Sequence, residues 1–134
     1  MIEAETAPRY QRLFLMAGAI NGFLAVALGA FGAHALRPLT DDRGLQIFQT
    51  GTHYHGLHAL ALITAGLLIQ RLPTGWGRAS GWLFLLGILV FSGSLYAMAL
   101  GAPRWLGAVT PVGGTAFLAG WASLAVGVAR METT

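Results

Sequence analysis

"RLFLMAGAINGFLAVALGAFGAHALR", residues 12–37, decides the fold class. Between Arg12 and Arg37 stand 24 residues without a formal charge, and a membrane-spanning helix needs about 20 apolar residues in a row. The pattern recurs three times: Arg43 to Arg71 encloses 27 uncharged residues, Arg78 to Arg104 encloses 25, and Arg104 to Arg130 encloses 25. Glu3, Glu5, Asp41, Asp42 and Glu132 all fall outside these windows. The spacing predicts four transmembrane helices over 13–36, 53–70, 79–100 and 107–129. The expected fold is therefore all-α, a four-helix transmembrane bundle forming a single integral membrane domain over 1–134.

Composition agrees with the windows. Hydrophobic residues make up 55% of the chain and charged residues 10%, whereas a soluble domain carries about 25% charged residues. The apolar excess has to face something other than water, and the 19 glycines suit membrane helices, where Gly is commoner than in soluble ones. The absence of cysteine removes disulfides and thiolate chemistry. All eight basic residues are arginines. They are dispersed singly, so the net charge of +3 is no nucleic-acid footprint.

The first window is not read as a cleaved signal, although "AHA" at 33–35 mimics a cleavage site. Its apolar run exceeds the roughly 7–15 residues of a signal core, and Glu3 and Glu5 spoil a basic leader. Four spans put both termini on one side, with Arg9, Arg12, Arg71, Arg78 and Arg130; Arg37, Arg43 and Arg104 lie opposite. The richer side is expected to be cytoplasmic. Tyr10 and Trp76 on that side, and Trp105 on the other, suit interfacial belts.

Between the first two windows runs "LTDDRGLQIFQTGTHYHG", residues 39–56. Thr40 is the expected N-cap, with Asp41 and Asp42 in a first turn that favours negative charge. Leu45, Phe48 and Thr52 recur on one face, which suggests a short amphipathic surface helix between helices 1 and 2, bending at Gly51. A plain extension of the second span is the other reading. In the fourth span, Pro111 is expected in the first helical turn, where its missing N–H costs little. The Gly18/Gly22 pair permits close helix approach, within the bundle or between copies; the intramolecular reading is preferred.

Polar side chains inside the spans are few: Asn21, Ser92, Ser94, Tyr96, Thr110 and Thr115. They should face the bundle interior and bond between helices. No Asp, Glu, Lys or Arg lies mid-span, which argues against ion-coupled transport. No nucleophile–base pair, carboxylate pair or phosphate loop is visible, and "GWGRASG" at 75–81 lacks P-loop spacing. Catalytic, cofactor and metal residues are accordingly expected to be none, and no cofactor is invoked.

Four histidines remain. His34 closes helix 1, while His53, His55 and His58 open helix 2, which places all four at the outer face. At about 100° per residue, His55 and His58 share a face and His53 points away. His34 with His58 is the expected pair, within a polar cluster of His34, His58, Tyr96, Ser92, Ser94 and Asn21. The structural reading, neutral imidazoles bonded to neighbours, leads; a bis-histidine haem or a metal held by His34 and His58 is the alternative.

Together, "GAFGAHAL" at 29–36, "TGTHYHGLHALAL" at 50–62, "FSGSLYAMAL" at 91–100 and "TPVGGTAFLAGW" at 110–121 make the chain resemble one family. It is the small membrane-protein family known as domain of unknown function 423, which takes in YgdD-like bacterial inner-membrane proteins and the animal transmembrane protein 256. The resemblance covers nearly the whole chain. It implies a multi-pass protein of the bacterial inner membrane, with histidines matching His34 and His58 and other residues at positions 53 and 55. It brings no activity with it. The expected function is a non-enzymatic structural or accessory component in contact with bilayer lipid, or with a homo-oligomer or membrane complex as partner. A small transporter or channel is the alternative.

Overall fold

The computed structural model describes residues 2–73 and 75–133, with side chains from residue 8 onward. Among the described residues every regular element is a helix. Helix α1 spans Ile2–His34, α2 Asp42–Leu68, α3 Trp76–Gly87, α4 Gly93–Ala99 and α5 Thr110–Ala129. Short 3₁₀ turns at Arg37–Leu39 and Arg104–Ala108 connect the ends. A π-helical segment, Ile88–Ser92, joins α3 to α4, so that Trp76–Ala99 forms one continuous rod. Its signature is the Gly93 N–H reaching back five residues to the Ile88 carbonyl.

Among the described residues three rods are long and apolar enough to cross a membrane: Pro8–His34, Trp76–Ala99 and Arg104–Ala129. The second expected span does not join them on composition. At 27 residues α2 has the length, but His53, His55, His58 and the glutamines lower its hydropathy.

The segment 42–52, expected as a separate surface helix, is instead the start of α2. The helix runs unbroken from Asp42, and the cap is Asp41 rather than Thr40: its Oδ1 accepts the Gly44 N–H at 2.7 Å. Gly51 is no bend. It lies buried against Tyr96, whose Cε1 would stand 2.8 Å from any added Cβ. A close crossing, not chain reversal, requires the glycine there.

Helix α2 is the hub. It lies along α1 on one side and contacts α3, the π segment and α4 on the other, while α5 packs on α3 and the π segment. Gly18 on α1 meets α2, where an added Cβ would come within 2.9 Å of the Ala59 carbonyl oxygen; a Cβ added to Gly22 would meet no neighbouring element within 4 Å. One of the two expected small residues thus serves internal packing. Proline behaves as expected, with Pro111 in the first turn of α5.

The main core, around Phe14, Leu62, Phe84 and Phe117, fills the middle and the end holding the chain termini; Leu36, Phe48 and Ala99 form a second cluster at the opposite end. At the terminal end Arg78 lies over the Tyr10 ring at 5.3 Å, and Arg130 over Trp76 at 5.4 Å. Such stacks hold guanidinium groups at an interfacial level.

Candidate functional site: a locked polar cluster at mid-bundle

Because α2 begins at Asp42, its histidines lie along the helix rather than at its mouth. His58 stacks on Phe117, centroids 3.5 Å apart and planes 8° from parallel. Phe117 stands midway between Arg104 and Arg130. Tyr54 packs on Phe91 at 4.9 Å, and Phe91 is midway between Arg78 and Arg104. The cluster therefore sits at the middle of the charge-free slab, not at the outer face where the sequence reading placed it.

His58 is 2% exposed, and both ring nitrogens are engaged. Nδ1 lies 2.7 Å from the Tyr54 carbonyl oxygen, and the Trp121 indole N–H donates to Nε2 at 3.0 Å. A carbonyl can only accept and an indole can only donate. The ring must therefore be neutral with its proton on Nδ1. Phe84, at 5.7 Å, closes the remaining side.

His55 carries the opposite tautomer. Asn21 Nδ2 donates to the Ala17 carbonyl at 2.8 Å, which fixes the amide and turns Oδ1 toward His55 Nε2 at 2.9 Å. Nε2 therefore donates, and Nδ1 accepts from the Tyr96 hydroxyl at 2.9 Å. One hydrogen-bonded line thus joins α1, α2 and α4 through three side chains.

The serines bond locally around the π segment. Ser92 Oγ donates to the Gly51 carbonyl at 2.9 Å, tying the segment to α2. Ser94 Oγ reaches the Phe91 carbonyl at 2.9 Å and the Thr110 hydroxyl at 2.6 Å. Among the described residues no buried side-chain nitrogen or oxygen lacks a partner.

The expected grouping is therefore redistributed. Asn21 and Tyr96 meet at His55, which the sequence reading left out of the cluster. Ser92 and Ser94 lie nearby in their own bonds. His58 pairs with Trp121, also left out, and His34 stays exposed at the end of α1, away from His58. The pairing of His34 with His58 is overturned, because α2 starts eleven residues earlier than the expected second span and carries His58 down to mid-bundle. Two signals pointed to the missed residues. His55 and His58 share a helix face, and Trp121 stands mid-window, far from any interfacial belt, where its indole N–H needs an acceptor.

Chemically the arrangement is closed. Neither nitrogen of His58 has a free lone pair, so a metal or haem iron could reach Nε2 only by displacing Trp121. Among the described residues no three His, Asp or Glu side chains converge as a metal site would require.

The family described as "Protein of unknown function (DUF423)" matches residues 28–114. The chain belongs to it. The UPF0382 membrane protein YwdK of Bacillus subtilis (strain 168) is 43% identical over 120 residues, covering 89% of this chain and 98% of that protein. The UPF0382 inner membrane protein YgdD of Escherichia coli (strain K12) is 44% identical over 121 residues, 90% of this chain and 92% of that one. The UPF0382 membrane protein SSP2132 of Staphylococcus saprophyticus is 38% identical over 122 residues, 90% and 99% of the two chains. No solved structure matches this chain. Family membership and three span-length apolar rods make this a membrane protein.

Proposed function

We propose that this is a four-span protein of the bacterial inner membrane, both termini cytoplasmic, that acts without catalysis as a structural or accessory component bound to another membrane helix. The observation that carries the reading is the outward stripe of α2. Its half toward the C-terminus is mainly apolar, with Leu57, Leu60 and Leu67 exposed and the Thr64 hydroxyl bonded back to the Leu60 carbonyl. The half toward the N-terminus exposes Gln46, Gln49, Thr50 and His53. Thr50 bonds back to the Gln46 carbonyl, whereas the Gln49 and His53 side chains have no hydrogen-bond partner among the described residues. His53 adjoins Tyr54, at the level of the charge-free midpoint. A polar side chain facing hydrocarbon without a partner costs several kcal/mol, so a helix in this position needs protein against that face.

The closed histidine bonds support the non-enzymatic part, since among the described residues no buried side-chain nitrogen or oxygen is left without a partner. The side-chain-filled centre around Phe14, Leu62, Phe84 and Phe117 speaks against the transporter alternative. Native mass spectrometry from mild detergent tests the reading. Wild type should appear as an oligomer or with a membrane partner, and Gln49→Leu with His53→Leu should release the lone chain. A wild type recovered only as a monomer would contradict it.

A further inference from the structure

At the end of the bundle opposite the termini, a cavity of about 520 Å³ opens between the start of α2, the end of α4 and the Arg104–Ala108 turn. Arg43 from α2 and Arg104 from the turn both line it. These are two of the three arginines on that side of the chain, brought to one cavity by elements some sixty residues apart in sequence. Asp41 lines it too, its Oδ1 accepting the Gly44 N–H, and two arginines against one aspartate leave the lining with a net positive charge. The floor is mixed: Ile47, Leu95 and Met98 on the apolar side, Thr110 on the polar.

We propose that this cavity binds the phosphate headgroup of an anionic membrane phospholipid. Two arginines lining one cavity suit a phosphodiester, which each guanidinium can grip with paired N–H donors. A lipid, rather than a dissolved phosphate, is the source because of the rim. Leu39 is 65% exposed, Leu100 57% and Trp105 67%, an apolar and aromatic collar beside the charges that suits the interface between headgroups and acyl chains. Thr110, at the start of α5, lines the same space. The proposal rests on membrane insertion of the bundle, and is independent of what covers the outward face of α2.

The test is lipid retention in native mass spectrometry after reconstitution into nanodiscs of mixed dioleoyl phosphatidylglycerol and dioleoyl phosphatidylcholine. Wild type should retain one phosphatidylglycerol per chain in preference to phosphatidylcholine. Arg43→Gln with Arg104→Gln should lower that retention by about tenfold or more, the equivalent of one charge-assisted contact. Both arginines are exposed, so the fold should persist; helical circular dichroism checks this, and Arg104→Gln alone is the fallback should the pair unfold. The Gln49→Leu and His53→Leu variant, altered on another face of α2, should retain lipid as wild type does, which separates this site from the partner face. Equal retention by wild type and the arginine variant would overturn the site. Equal retention of the two lipids would overturn the anionic preference, and displacement by millimolar inorganic phosphate would overturn the lipid as ligand.

Discussion

An imidazole in a membrane interior has two nitrogens to satisfy, and His58 satisfies one from its own helix and one from across the bundle. The Trp121 indole can bond only to a neutral ring whose Nε2 lone pair is free, so the pair fixes both the tautomer and the approach of α5 to α2. Trp121→Phe should destabilise the protein by about 1 kcal/mol, the scale of a hydrogen bond between membrane helices and of an acceptor left unpaired. His58→Ala should cost more, about 3 kcal/mol, because the Phe117 stack is lost and a cavity remains. Denaturant unfolding in mixed micelles reads both, and the double variant should cost less than the two singles together. Full additivity would mean that the indole and imidazole do not interact. Tyr96→Phe, which leaves His55 Nδ1 unpaired, should cost about 0.6 kcal/mol by the same measurement.

At the scale of elements, the π segment and the glycines set how closely the helices approach. Phe91 lies within that segment, and a Cβ on Gly113 would collide with the Phe91 backbone nitrogen. Backbone cannot swing aside as a side chain can. Gly113→Ala should therefore cost about 1–3 kcal/mol, while Gly22→Ala, with nothing within 4 Å, should stay within about 0.5 kcal/mol of wild type. Thermal unfolding in detergent separates the two, and equal effects would contradict the packing. The glycine spacing on α1 was legible in the sequence as a close contact, but which glycine makes it depends on the register against α2, which spacing alone does not carry. The start of the second span was misplaced for a related reason: a glycine between an amphipathic stretch and an apolar one reads as a bend, whereas Gly51 marks a close contact with Tyr96 inside one unbroken helix. An error of eleven residues in that start moved His58 from the rim to the centre and suggested a false partner in His34.

Over the whole molecule, three of the four spans expected from the arginine windows are membrane-length apolar rods among the described residues, and the helical class was legible in the sequence, because burying a charge in lipid is expensive enough to leave a clear gap in the pattern. Polar side chains leave a fainter mark, since each can be paid for by one neighbour that the sequence does not name. Asn21, His55 and Tyr96 come from three distant segments, and only the fold brings them into line. Helix α2 shows the consequence: its composition falls short of a span, yet its inner polar groups are all bonded and it touches both halves of the bundle. Whether α2 crosses the membrane decides where the chain ends lie, since four crossings return the C-terminus to the side of the N-terminus and three do not. Fusing a fluorescent protein that matures only in the cytoplasm, and separately periplasm-active alkaline phosphatase, to each terminus measures this directly. Fluorescence without phosphatase activity at both ends is expected; termini on opposite sides of the membrane would contradict α2 as a span and the bundle's insertion with it.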